Sequence, residues 1–172
     1  IQSDVSAKLT QQAKGLTLLG IQDINGTGNN FGNMMTGNSG DNVLKGGAGA
    51  DTLVGGLGDD RLAGGGGRDV LKGDAGADQF VFASLKAADG DTIRDFASGT
   101  DRIDVSGIDA VAGGADQAFN FTGTGFDGAG SLRAVTSNGN TLVEGDIDGD
   151  GTADFTLTLT GLHALSGGDF IL

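Results

Sequence analysis

A nine-residue period runs without a break from Gly28 to Val81, and six copies of it fall in register. The first position is Gly in every copy: Gly28, Gly37, Gly46, Gly55, Gly64 and Gly73. The fourth is Gly in every copy but the first, which has Phe31. The sixth is always Asn or Asp: Asn33, Asn42, Asp51, Asp60, Asp69 and Asp78. The eighth is always large and apolar: Met35, Leu44, Leu53, Leu62, Leu71 and Phe80. A flexible linker has no reason to place an apolar side chain at every ninth residue, so the period is structural. Glycines let the first six residues turn tightly, and the last three form a short strand whose middle side chain points inward. Each copy is then half a coil, and copies n and n+2 stack at a strand spacing of about 4.8 Å. The expected fold is all-β: a parallel β-roll, a two-sheet solenoid with a thin core.

Composition agrees with that reading and removes others. The chain has 35 Gly but no Pro, and no three-residue period, which excludes collagen. Hydrophobic residues make up 37% and the nine aromatics are all Phe, too few for a broad conventional core. With no Cys, neither disulfides nor thiolate zinc sites are available. A net charge of −13 argues against nucleic acid and anionic membranes as partners. No run is long enough to insert as a transmembrane helix. The start, Ile1-Gln2-Ser3-Asp4, has no initiator Met or signal-peptide pattern, so the expected partner is an upstream domain of the same protein.

The acids are unusual in kind, because only Glu144 among the 23 is not Asp. A short carboxylate in a turn is a good ligand for calcium, which takes oxygen donors at about 2.4 Å. Such an ion fits between two turns stacked about 4.8 Å apart. Stacked pairs lie eighteen residues apart, which sets Asn33, Asp51 and Asp69 on one edge and Asn42, Asp60 and Asp78 on the other. The pairs Asp51/Asp69 and Asp60/Asp78 are expected to bind most tightly, and pairs that include Asn33 or Asn42 less so. Carbonyls of the first-position glycines Gly37, Gly46, Gly55, Gly64 and Gly73 are the expected companions.

The repeat resembles the G-G-x-G-x-D-x-U-x nonapeptide of RTX proteins, for which calcium binding is the known property. The tail resembles the C-terminal domain of serralysin-type secreted metalloproteases. That likeness rests on D-T-I-x-D-F-x-x-G-x-D-x-I-D-V-S from Asp91 to Ser106 and V-E-G-D-x-D-G-D-G-x-A-D-F from Val143 to Phe155. It implies a secreted, extracellular bacterial protein that binds several calcium ions and leaves by a type I secretion machine. That machine would read the last residues, Asp169-Phe170-Ile171-Leu172. The resemblance leaves the activity of the attached domain open, with a protease or another hydrolase expected.

Three segments follow. Residues 1–27 form wider coils or a linker, with Val5, Ala7 and Leu9 alternating as in a strand. A helix from Asp4 to Lys14, capped by Ser3 and stopped by Gly15, is the competing reading. Residues 28–82 are the roll. Residues 83–172 are a capping antiparallel β module, with strand-like runs around Asn138-Gly139, a strong hairpin signal, and another at Phe155 to Thr160.

The nets of the three segments are 0, −3 and −10, so most unbalanced charge lies outside the repeats. Additional cations are therefore expected near Asp91, Asp95, Asp101 or Asp104, with solvated surface the alternative. The loop Asp146, Asp148, Asp150, Asp154 has EF-hand spacing, but Leu157 stands where the bidentate Glu belongs. His163 is the single His, and no Cys or Tyr is present to assist it. A carboxylate pair could act on a glycosidic bond, but the Asp residues already have a structural role. The expected function is a non-catalytic, calcium-triggered folding and secretion module. A calcium-dependent polysaccharide-binding or adhesion module, using Arg61, Arg68 and Lys72, is the alternative.

Overall fold

The computed structural model describes residues 1–111 and 117–172. Before the repeats come β1 (Gln2–Ser3), β2 (Ala7–Lys8), β3 (Gly15–Leu18) and β4 (Gly26–Thr27). The repeats supply β5 (Met34–Thr36), β6 (Val43–Ala48), β7 (Thr52–Leu57), β8 (Arg61–Gly66), β9 (Val70–Ala75) and β10 (Gln79–Val81). After the one-turn helix α1 (Leu85–Ala88) follow β11 (Thr92–Ile93), β12 (Arg102–Asp104) and β13 (Asn120–Phe121). The chain ends with β14 (Ser131–Ser137), β15 (Asn140–Asp146), β16 (Phe155–Leu159) and β17 (Phe170–Ile171).

Through β12 the chain alternates between two sheets, as a roll must. One sheet runs β1-β3-β5-β7-β9-β11-β16-β15-β14-β13 and the other β17-β12-β10-β8-β6-β4-β2. Partners in the repeats are eighteen residues apart, with Leu53 on Leu71 in one sheet and Leu44 on Leu62 in the other. Every eighth-position side chain is fully buried. The all-β parallel roll is therefore as the period requires. Between Asp4 and Lys14 there is no helix; Ala7–Lys8 is a short strand and Leu9 is buried, whereas Val5 is exposed, and further on Leu16 and Leu18 face the core, Leu16 stacking on Met35.

Two features differ from the expectation. First, β6 to β9 each span six residues, because ladder bonds continue past the three-residue strand into the next glycines, as in the pairing of Gly47 with Gly65. Second, the expected antiparallel module is present as β14, β15 and β16, but it is continuous with the sheets of the roll. β16 pairs in parallel with β11, placing Leu159 on Ile93, and β17 pairs in parallel with β12, placing Phe170 on Ile103. The apolar columns of the roll thus run on past residue 82, and the antiparallel strands β14 and β15 extend one sheet sideways from β16. The Asn138-Gly139 turn joins them with positive φ at both residues, as a two-residue hairpin needs. The core widens here, where Phe96 packs on Phe80, Phe119 on Phe155 and Phe121 on Phe170.

Candidate metal centre

Position six lies two residues before the inward-facing position eight and shares its face of the strand. Asn33, Asn42, Asp51, Asp60, Asp69 and Asp78 are accordingly all buried. On one edge, Oδ1 of Asp51 accepts the Asn33 N–H at 2.7 Å, Oδ1 of Asp69 the Asp51 N–H at 2.8 Å, and Oδ1 of Asp91 the Asp69 N–H at 2.7 Å. On the other, Asp60 accepts from Asn42 at 2.7 Å, Asp78 from Asp60 at 2.9 Å, and Asp101 from Asp78 at 3.1 Å. Each carboxylate ties its own turn to the preceding turn on that edge.

The second oxygen carries the argument. Oδ2 of Asp51, Asp60, Asp69 and Asp91 is buried without a hydrogen-bond partner. Native proteins rarely leave such atoms alone, because a buried carboxylate without compensation is costly. The first-position glycine explains how the space beside that oxygen is kept. A Cβ on Gly46 would collide with Oδ2 of Asp51 and the Gly64 carbonyl, and one on Gly55 with Oδ2 of Asp60 and the Gly73 carbonyl. Gly64 and Gly73 stand the same way against Asp69 and Asp78, and Gly37 against Oδ1 of Asn42 and the Gly55 carbonyl. Carboxylate and carbonyl oxygens from two successive coils therefore converge on one gap. An all-oxygen donor set of this kind fits a hard divalent cation such as calcium.

Burial also governs the charge of these groups. Loss of hydration pushes the carboxyl pKa of Asp51 and Asp78 up to about 6, of Asp60 to about 7 and of Asp91 to about 8. The backbone N–H donors oppose the shift, and neighbouring aspartates add to it, Asp69 acting on Asp51 and Asp78 on Asp60. Asp69 and Asp101 are raised for the same first reason. A positive charge in each gap would reverse the balance and hold the carboxylates ionised.

Asp91 and Asp101 continue the two ladders beyond the repeats, at 22 and 23 residues from their partners. The place of Asp101 in its ladder is hidden by that irregular spacing. Its one visible signal is the triplet Asp101-Arg102-Ile103, which copies positions six to eight. Asp95 is used differently, since its two oxygens accept the N–H groups of Gly73 at 3.0 Å and Asp74 at 2.9 Å. Asp104 takes Arg61 at 3.1 Å and the hydroxyl of Ser106 at 2.6 Å.

The loop between β15 and β16 makes a second acidic site. Carboxylate oxygens of Asp146, Asp148 and Asp154 lie within 4.8 Å of one another. Asp146 is buried and accepts the N–H groups of Gly149 at 2.7 Å and Gly151 at 3.0 Å. Asp150 is not part of that cluster and turns to the Thr152 N–H at 2.8 Å. The C-terminal residues form β17. Although burial disfavours its charge, Asp169 is held below the usual carboxylate range by donors from Ser166, Gly99 and Ser98. Among the described residues no helix is long and apolar enough to cross a membrane.

Two parallel sheets of stacked half-coils, with a carboxylate ladder along each edge, define an RTX-type β-roll. Residues 4–172 match the Peptidase M10 serralysin C-terminal family, and the chain belongs to it. No curated protein sequence matches. Among solved structures, the chain is similar to two subunits, R2 and R3, of the mannuronan C5-epimerase AlgE6 from Azotobacter vinelandii. The R2 subunit is 32% identical with a TM-score of 0.62, covering 88% of this chain and 92% of that one. The R3 subunit is 31% identical with a TM-score of 0.61, covering 84% and 80%.

Proposed function

We propose that this chain is a non-catalytic, calcium-dependent folding module of a secreted protein. Calcium would be held by Asp51, Asp69 and Asp91 on one edge and by Asp60 and Asp78 on the other, each ion bridging two coils through carboxylate and glycine carbonyl oxygens. The observation that carries this reading is the set of buried, unpartnered Oδ2 atoms. At submicromolar calcium those carboxylates face one another without compensation, and the Gly-rich turns favour the unfolded chain. At millimolar calcium, binding to the folded state stabilises it by mass action. A roll whose aspartate-bearing coils stay unfolded inside the cell and fold outside suits export by a type I machine, and the folded roll would then stabilise an adjoining hydrolytic domain. A calcium titration followed by far-ultraviolet circular dichroism tests this. A cooperative gain of β signal is expected, and full β signal in excess chelator would reject it.

The second reading, a polysaccharide-binding module, is favoured by the likeness to subunits of a mannuronan epimerase. Against it, two of the three bases proposed for it are already engaged: Arg61 with Asp104 and Gln79, and Lys72 with Asp74. Retention on immobilised mannuronan in calcium would favour this second reading, and free passage through the column would remove it.

A further inference from the structure

The first two repeats close their turns by a different chemistry. They carry Asn at position two and Asn at position six, where the four later repeats have Gly47, Gly56, Gly65 and Asp74 at position two and Asp at position six. Nδ2 of Asn29 donates to the carbonyls of Thr10 and Ala13, both at 2.7 Å, in the coil before. Nδ2 of Asn33 donates to the Asn29 Oδ1 at 3.2 Å and to the Ala13 carbonyl at 3.4 Å. The opposite edge repeats the arrangement. Nδ2 of Asn38 reaches the carbonyls of Leu19 at 3.1 Å and Gln22 at 3.0 Å, and Nδ2 of Asn42 reaches Ile24 at 2.8 Å and the Asn38 Oδ1 at 3.0 Å. The Oδ1 atoms of Asn33 and Asn42 accept the backbone N–H groups of Asn29 at 2.9 Å and Asn38 at 2.8 Å.

An amide offers donors and an acceptor together, whereas a carboxylate offers acceptors only. The seams between the leading coils and the first two repeats are thus closed by hydrogen bonds that the chain itself supplies. From Asp51 onward position six is a carboxylate, which supplies no donor, and Oδ2 of Asp51, Asp60, Asp69 and Asp91 is buried without a partner. We infer that Asn29, Asn33, Asn38 and Asn42 form a cation-independent plug, and that the coils they join stay folded without calcium. This plug is the platform on which the calcium-dependent coils stack. In a solenoid each coil contacts only its neighbours, so one preformed end is enough to template the next turn. The inference rests on the calcium reading given above, and it divides the roll into a part that needs the ion and a part that does not.

Hydrogen exchange on the full chain, read by mass spectrometry in excess chelator and in millimolar calcium, tests it. In chelator, strands β3 and β5 are expected to exchange at least about tenfold more slowly than β7, β8 and β9, and calcium then slows the latter. Equal exchange of all five strands in chelator would overturn the plug, and if calcium still protected them together the calcium reading would stand. Protection unchanged by calcium in every strand would remove both. A double variant, Asn29→Ala with Asn38→Ala, should lose the chelator-resistant protection of β3 and β5 while keeping calcium-induced protection of β7 to β9. Unchanged protection of β3 and β5 in that variant would also contradict the inference.

Discussion

Strands β7, β9 and β11 and strands β14 to β16 belong to the same ten-stranded sheet, yet they satisfy their buried polar groups in opposite ways. In the hairpin, β14 and β15 pair residue for residue from Ser131 with Asp146 to Ser137 with Asn140. Its charges meet as a close pair, with Arg133 on Glu144 at 2.7 Å. That region closes on itself by backbone ladders and the apolar side chains of Leu132, Val143 and Leu157. In the roll, the strands are equally well paired, but the Oδ2 atoms of Asp51, Asp60, Asp69 and Asp91 are buried with no donor. Strand pairing and apolar burial are therefore sufficient for the first region. On the reading proposed above, the second is completed by a cation in the gap.

The largest effect should come from breaking the apolar core of the roll, on which the sheet shared by both regions packs. Leu62 is fully buried, so Leu62→Asp places a carboxylate in the core at a cost of several kcal/mol. Calcium-induced folding, followed by circular dichroism, should be abolished. Lys45→Asp, on the exposed face of the same sheet, should leave it in place.

Acidity should separate the regions next. The carboxyls of Asp51, Asp60, Asp78 and Asp91 titrate at about 6, 7, 6 and 8 in the folded roll, against an ordinary 3.8. Between about pH 4 and pH 8 the folded chain without calcium holds more protons than the unfolded one, so its stability falls as pH rises through that window. Calcium binding requires ionised carboxylates and strengthens with pH, which reverses the slope. In chelator the far-ultraviolet β signal should thus fall between about pH 4.5 and 8.5, whereas in calcium Tm should stay level or rise. Parallel profiles in chelator and in calcium would mean that the buried carboxylates of the roll do not depend on a cation.

Asp69 stands between Asp51 and Asp91 and borders two gaps. Asp69→Asn should move the calcium midpoint upward roughly tenfold, or about 1.4 kcal/mol, with Asp127→Asn as a control outside the ladders. The smallest effect is expected in the hairpin. Glu144→Gln removes a half-buried ion pair and should cost less than about 1 kcal/mol, equally with and without calcium. A calcium-dependent loss there would mean that the hairpin, too, is completed by the ion.

The legible part of this molecule is the part that repeats. The eighth-position column and the sixth-position ladder follow from the nine-residue period, because stacking forces identical positions into contact. Asp91 and Asp101 fall out of period for a local reason. The turn of α1 and the Ala97–Asp101 turn lengthen the coil before the next inward Asp-x-apolar triplet arrives. The return of β16 to β11 and of β17 to β12 has no local signature, since those partners lie more than sixty residues apart in the chain and meet through Leu159 and Phe170. The asparagine plug was visible only as missing charge. That an amide also supplies donors to Thr10, Ala13, Leu19, Gln22 and Ile24 emerges once the coils are stacked.

Crystals grown in millimolar calcium, with diffraction collected at a long wavelength, would locate calcium directly by its anomalous signal. The account predicts peaks in the gaps Asp51/Asp69, Asp69/Asp91 and Asp60/Asp78, each within about 2.3–2.6 Å of the Oδ2 atoms now without partners. Ordered water against those oxygens, with calcium at the Asp146 loop or nowhere, would contradict it.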